Sequence, residues 1–191
     1  SQCDVVRPLR YLSEDLEKMS VAMTAIELVD VVTHAEEQNA SFFSLILDLL
    51  ETVNTATKNA VVALYWFELR LAELLGFRPD LHDCSYCRKN VEREIAEGKK
   101  FSMAGTGILC AACSEDYDAM ERISSGTLRV LQRLQDAEIS ASLMNLHLTM
   151  VSKDELRRTL RGHLQKHIDG FRGLKSEKVF ADSTFKRFVT E

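Results

Sequence analysis

The strongest constraint on this chain is a pair of Cys-x-x-Cys knuckles, "CSYC" at residues 84–87 and "CAAC" at 110–113, with twenty-two residues between them. Each knuckle presents two thiolates to one ion, and a hairpin that brings two knuckles together closes a tetrahedral four-sulfur site. The loop is slightly longer than the commonest ribbon spacing. Gly105 and Gly107, in "AGTGI", supply turn residues just before the second knuckle. Cys84, Cys87, Cys110 and Cys113 therefore predict one structural Zn2+ ion. Four protein ligands leave no open position for water or substrate, so this site is expected to be structural and not catalytic.

Two other uses of the four thiols compete with zinc. Paired disulfides suit secreted proteins, and no basic n-region with an apolar h-region opens the sequence. A thioredoxin-like Cys-x-x-Cys needs a strand-to-helix setting in an α/β fold, and no such pattern surrounds these. Cys3, the fifth cysteine, reads as an incidental free thiol.

The rest of the chain is patterned for helices. At 191 residues it is long enough to bury a core without a metal, and 46% hydrophobic with 28% charged residues is ordinary for a globular protein. Only two prolines interrupt it, and charges break every apolar run before a membrane span is reached. "YLSEDLEKMSVAMTAIELVDVVTHAEEQ" predicts a helix capped by Ser13, with Leu12, Leu16, Met19, Met23 and Ile26 as its inner face. "NASFFSLILDLLETVNTA" predicts a second, capped by Ser41, with Phe42, Leu45, Leu49 and Val53 inward. "TKNAVVALYWFELRLAELLGFRPDL" is apolar nearly all round and so predicts a central helix, running to Leu75 and stopped at Gly76 with Pro79 beyond. After the cysteines, "ISSGTLRVLQRLQ" predicts a short helix capped at Ser124 or Ser125. "SASLMNLHLTM" is expected to be helical, with strand as the alternative. "SKDELRRTLRGHLQKHIDGF" predicts a last helix opened by a capping box of Ser152 and Glu155. The expected fold is mainly α, a helical bundle with an inserted small zinc-ribbon-like module. Residues 13–83 and 114–180 form the helical part, 84–113 the module and 181–191 a tail.

Charge is unevenly spread. Residues 1–83 carry 6 Lys/Arg against 14 Asp/Glu, whereas 151–191 carry 10 against 6. This argues against a wholesale nucleic-acid binder but permits a local basic face near the C-terminus. On the last helix, Arg157, Arg158 and Arg161 are expected on the side away from Leu156, Leu160 and Leu164, with Lys166 and Arg172 flanking. Such a stripe can track phosphates or grip an acidic peptide, and Arg158 with Arg161 are the leading candidates for polyanion contact. Arg88, Lys89, Arg93, Lys99 and Lys100 decorate the cysteine loop, but Glu92, Glu94 and Glu97 are interleaved and dilute the field. His163 and His167 lie four apart, and His167 reads as a hydrogen-bonded core histidine. "AGTGI" lacks the residues of a phosphate loop, and no nucleophile has an evident base, so no enzymatic activity is expected.

"FELRLAELLGFRPDLHDCSYCRKN", "FSMAGTGILCAACS", "ISSGTLRVLQRL" and "LRRTLRGHLQKHI", taken together and in this order, resemble the bacterial recombination mediator family RecO. Members of that family begin with an OB-fold barrel, whose alternating strand pattern is absent here; residues 1–12 could be at most its exit. The resemblance carries the family's zinc ligands onto Cys84, Cys87, Cys110 and Cys113. It also implies a cytoplasmic, nucleoid-associated matchmaker that is not an enzyme. Such a protein binds single- and double-stranded DNA and the acidic, Phe-ended tail of single-stranded-DNA-binding protein. It anneals strands and, with RecR, helps load RecA. The competing readings are a zinc-stabilised helical interaction module of a regulator and a thiol redox protein.

Overall fold

The computed structural model describes residues 8–33, 39–115, 122–140, 142–171 and 173–176. Cys3, Arg172 and the expected tail 181–191 lie outside these residues. The described residues include seven α-helices, two 3-10 turns and one small sheet, so the mainly α expectation holds. They fall into two compact units. The first draws on Ser1–Leu64, Ile139–Asn145 and Leu174–Glu191, the second on Tyr65–Glu138 and Leu146–Gly173.

In the first unit, a 3-10 turn at Arg10–Leu12 leads into α1 (Leu16–Val32), which pairs with α2 (Ala40–Thr55). Asp15, not Ser13, caps α1 by accepting the N–H of Lys18 at 3.0 Å. Asn39, not Ser41, caps α2 through the N–H groups of Ser41 and Phe42. The inner face of α2 is as expected: Phe42, Leu45, Leu49 and Val53 are buried. The inner face of α1 is not. Val21, Ala22, Thr24, Ala25 and Leu28 are buried, whereas Met23 is 50% and Ile26 47% exposed. This helix is apolar on two sides, and its small residues admit the closer neighbour, so Met19, Met23 and Ile26 line an open groove with Lys175 and Ser176. Glu27 fixes that edge by accepting the N–H groups of Lys175 (2.7 Å) and Ser176 (2.9 Å). Tyr11 N–H donates to the Asn54 side chain at 2.9 Å, and Val61 N–H to Glu17 at 3.1 Å.

The helix α3 (Val61–Leu74) begins in the first unit and continues into the second. It is buried along nearly its whole length, as an all-round apolar pattern requires. Its end is a Schellman motif: Gly76 N–H bonds Glu73 O, Phe77 N–H bonds Ala72 O, and Gly76 sits at φ +85°.

The second unit holds α4 (Glu92–Ala96), β1 (Lys100–Ala104), β2 (Gly107–Leu109), α5 (Ala111–Glu115), β3 (Arg122–Ser124), α6 (Ser125–Asp136) and α7 (Met150–His167). The sheet order is β2-β1-β3, antiparallel throughout, with Ser102 opposite Leu109 and Phe101 opposite Ile123. Ser124 caps α6, as expected. Two expectations on the C-terminal side fail. Among its described residues, "SASLMNLHLTM" supplies only a 3-10 turn at Leu143–Asn145 before α7 begins. That helix starts at Met150, capped by Thr149 through the Ser152 N–H at 3.1 Å. The supposed capping-box acid, Glu155, instead reaches the start of α6, accepting from Ser124 N–H (3.1 Å), the Ser124 hydroxyl (2.8 Å) and the Thr127 hydroxyl.

Candidate metal centre

The approach to the first knuckle is set by backbone contact. Asp80 N–H bonds Thr106 O and Ile108 N–H bonds Asp80 O, both at 2.9 Å, so the strand entering the module lies beside β2. A Cβ on Gly107 would stand 2.9 Å from Asp80 N and Cβ, which is why glycine is needed there. The Asp80 carboxylate accepts the N–H groups of His82 and Asp83, turning the chain toward Cys84. From α6, Gln132 donates to Leu81 O at 2.9 Å and Gln135 to Pro79 O at 2.8 Å. The knuckle then closes on itself, Cys84 N–H to Lys89 O and Arg88 N–H to Cys84 O, each at 2.8 Å, with Arg88 at φ +60°. Ser85 N–H ties it to Ile108 O at 2.8 Å.

The second knuckle follows β2 directly. Cys110 precedes α5 and Cys113 lies on it, with Ser114 N–H bonded to Cys110 O at 2.9 Å. Glu94 of α4 secures this end: its carboxylate accepts the Ala111 N–H at 2.8 Å and the Lys89 ammonium at 2.9 Å. Burial pushes Glu94 up, but the Ala111 N–H and Lys89 outweigh it and hold the group below its ordinary value.

The four Sγ atoms converge to within 4.8 Å of one another, with Cys87 and Cys110 3.7 Å apart. A tetrahedral ion with metal–sulfur bonds of about 2.3 Å separates its sulfurs by roughly 3.8 Å, so the cluster has the dimensions of such a site. All four are free thiols in the fold, Cys84 and Cys110 buried and Cys87 outermost. Burial raises the Cys84 thiol, and the N–H groups of Cys110, Cys87 and Tyr86 more than offset this and bring it to about 6. Burial and the neighbouring thiols push Cys113 up. Four thiolates this close repel each other unless a cation sits among them, which is the condition a bound divalent metal meets. Sequence spacing found these residues. It missed Glu94, Gln132, Gln135 and Asp80, whose signals are long-range hydrogen bonds without any sequence period.

Of the basic residues expected on α7, Arg157 and Arg158 are exposed and both contact Asp154 at 3.1 Å, and Lys166 is exposed. Arg161 is not on that face. Its side chain is 9% exposed and pairs at 2.6 Å with Glu68, which is 1% exposed inside α3. A carboxylate at that depth needs a cation, and the demand turns Arg161 inward. The histidines also exchange roles. His163 is the buried one, its Nε2 2.8 Å from Phe77 O, while His167 stacks on the Phe77 ring at 4.8 Å and reaches Gly105 O at 3.1 Å. Burial pulls the His163 pKa below its ordinary value, only partly countered by the Phe77 carbonyl.

Fold and site together define a mostly helical protein whose second unit carries a four-thiol module with the geometry of a metal centre. The sequence pattern of the family described as "Recombination protein O C terminal" matches residues 13–178, and the chain belongs to that family. It is similar to the DNA repair protein RecO of Symbiobacterium thermophilum, 31% identical over 183 residues, covering 96% of this chain and 70% of that protein. The RecO of Pelotomaculum thermopropionicum is 32% identical over 176 residues, 92% of this chain and 65% of the relative. That of Desulforamulus reducens is 30% identical over 187 residues, 97% and 69% respectively. The chain thus spans 65–70% of the length of these relatives. Membership assigns it to DNA repair and recombination. Among the described residues, no helix is long and apolar enough to cross a membrane.

Proposed function

We propose that this chain is the helical, metal-bearing portion of a cytoplasmic, nucleoid-associated recombination mediator that works by binding and not by bond-breaking catalysis. It binds single- and double-stranded DNA and the acidic, Phe-ended tail of single-stranded-DNA-binding protein. It brings complementary strands together and helps RecR load RecA. The observation that carries this reading is the family match across residues 13–178. The ion held by Cys84, Cys87, Cys110 and Cys113 is one Zn2+: an all-sulfur set with four closed positions is a zinc donor set with a structural task. Arg157, Arg158 and Lys166 are the candidates for phosphate or acidic-peptide contact, since guanidinium groups beside apolar surface suit both. Arg161 drops out of this set, because its charge is committed to Glu68.

The test is a titration of a fluorescent acidic-tail peptide with this chain at low and moderate salt. Saturable binding that weakens as salt rises is the expected result. No binding at any salt would leave a metal-held helical interaction module in place of a mediator. Elemental analysis of the purified chain should return one zinc per molecule; another metal, or none after purification without chelator, would overturn the zinc assignment.

A further inference from the structure

From Arg88 to the first residue of β1 the sequence mixes five cations, Arg88, Lys89, Arg93, Lys99 and Lys100, with three acids. The structure turns one of those acids inward and engages the other two, which stay exposed. Glu94 is turned inward, 9% exposed, onto Lys89 and the Ala111 N–H. Glu97 is held by Arg93 at 3.0 Å, and Glu92 accepts the Gln132 amide at 3.3 Å. The tip of the first knuckle presents an aromatic ring and a cation together. Tyr86 is 72% exposed, and Arg88 is 74% exposed, with Asp80 only at 3.8 Å. Arg88 also holds φ +60°, a region that glycine occupies without strain and other residues do not. A strained position that carries a long, exposed cation where glycine would serve the turn points to a use for that cation.

We infer that the Tyr86–Arg88 tip is a contact site for single-stranded nucleic acid, a base stacking on the Tyr86 ring and a phosphate meeting the Arg88 guanidinium. This rests on the DNA-binding reading above and adds the residues. An exposed aromatic ring beside an exposed cation suits an unpaired base and its phosphate, and such stacking is irrespective of sequence. Cys84 and Cys87 flank the ring, so a metal on both fixes the backbone on either side and presents it without further ordering.

The experiment is fluorescence anisotropy of a short labelled oligothymidylate with this chain, with metal content and melting temperature measured for every variant. Tyr86→Ala should weaken binding by about five- to a hundredfold and Tyr86→Phe should restore it. Arg88→Gly should weaken binding and flatten the salt dependence by about 0.7 in log–log slope, while metal content holds and the melting temperature stays or rises. Parent-like binding by both Tyr86→Ala and Arg88→Gly would sink this inference alone. Absence of binding by the parent would sink the DNA-binding reading with it. Loss of acidic-peptide binding in these variants, with oligothymidylate binding intact, would make the tip a peptide site and overturn the nucleic-acid assignment.

Discussion

Glu155 belongs to α7, but its carboxylate serves the start of α6, gathering the Ser124 N–H and the hydroxyls of Ser124 and Thr127. Burial raises its pKa and the Thr127 and Ser124 donors outweigh this, so the group lies below its ordinary value. A depressed folded pKa means that the stabilisation is complete above the ordinary carboxylate range and is lost as pH falls through the lowered value. Glu155→Gln should therefore cost about 1–3 kcal/mol at neutral pH, measured by urea unfolding, and the deficit should shrink in acid. An equal deficit at both pH values would mean that shape matters here and charge does not. Arg161 gives the second test at this scale. Arg161→Ala leaves Glu68 buried without its counter-charge and should cost about 3–5 kcal/mol, whereas replacing both by Met and Leu should recover most of that. The pair was half legible in the sequence. A lone acid inside "ALYWFELRL" must find a cation if the run is buried, but nothing local says which one. Arg161 sits beside Leu160, at the margin of the apolar stripe, where a face assignment by period alone fails.

At the scale of elements, legibility followed how many apolar faces each helix carries. The helix α2 has one strong inner row and its face was read correctly; α3 is apolar all round and its burial followed. For α1 two apolar rows compete. The row with larger side chains, Met19, Met23 and Ile26, is the outer one, because Ala22 and Ala25 let the partner helix approach. Start positions were less legible, since Thr149 and Ser152 are both competent caps and only the fold selects between them. The cysteine hairpin was the most legible element, because ligand chemistry fixes spacing. Its closure onto Asp80 still depends on a glycine whose reason is invisible locally. Gly107→Ala should push a methyl group into Asp80 and part the entering strand from β2. The expected outcome is faster amide exchange at Asp80 and Ile108 and weaker metal retention, with exchange in α1 and α2 unchanged. Unaltered exchange at Ile108 would show that the strand shifts without losing its bonds.

For the molecule as a whole, the metal centre should be separable from the rest of the core. The four thiols lie in the second unit, whereas α1 and α2 pack around Leu28, Leu45, Leu49 and Val53 in the first. A core of that kind does not depend on a metal. The thiol cluster does, since without a cation its charges repel and its hairpin is short. Chelation at neutral pH should then release the metal with a partial loss of tertiary structure. Amide protection should fall from Leu81 to Ser114 and persist in α1, α2 and much of α3. The same treatment should convert Cys84, Cys87, Cys110 and Cys113 from slow to fast reaction with an alkylating agent, as closed thiolate sites do when emptied. Acid should mimic the chelator, because protons compete for the same four sulfurs. Loss of the metal as pH falls should therefore precede the carboxylate-linked unfolding to which Glu155, Glu94 and Glu27 contribute through their depressed pKa values. Two resolved steps in an acid titration, metal release and then loss of helix, would establish that order. A single step in which metal and helix disappear together would mean that the thiol module holds the helices, and not only its own hairpin.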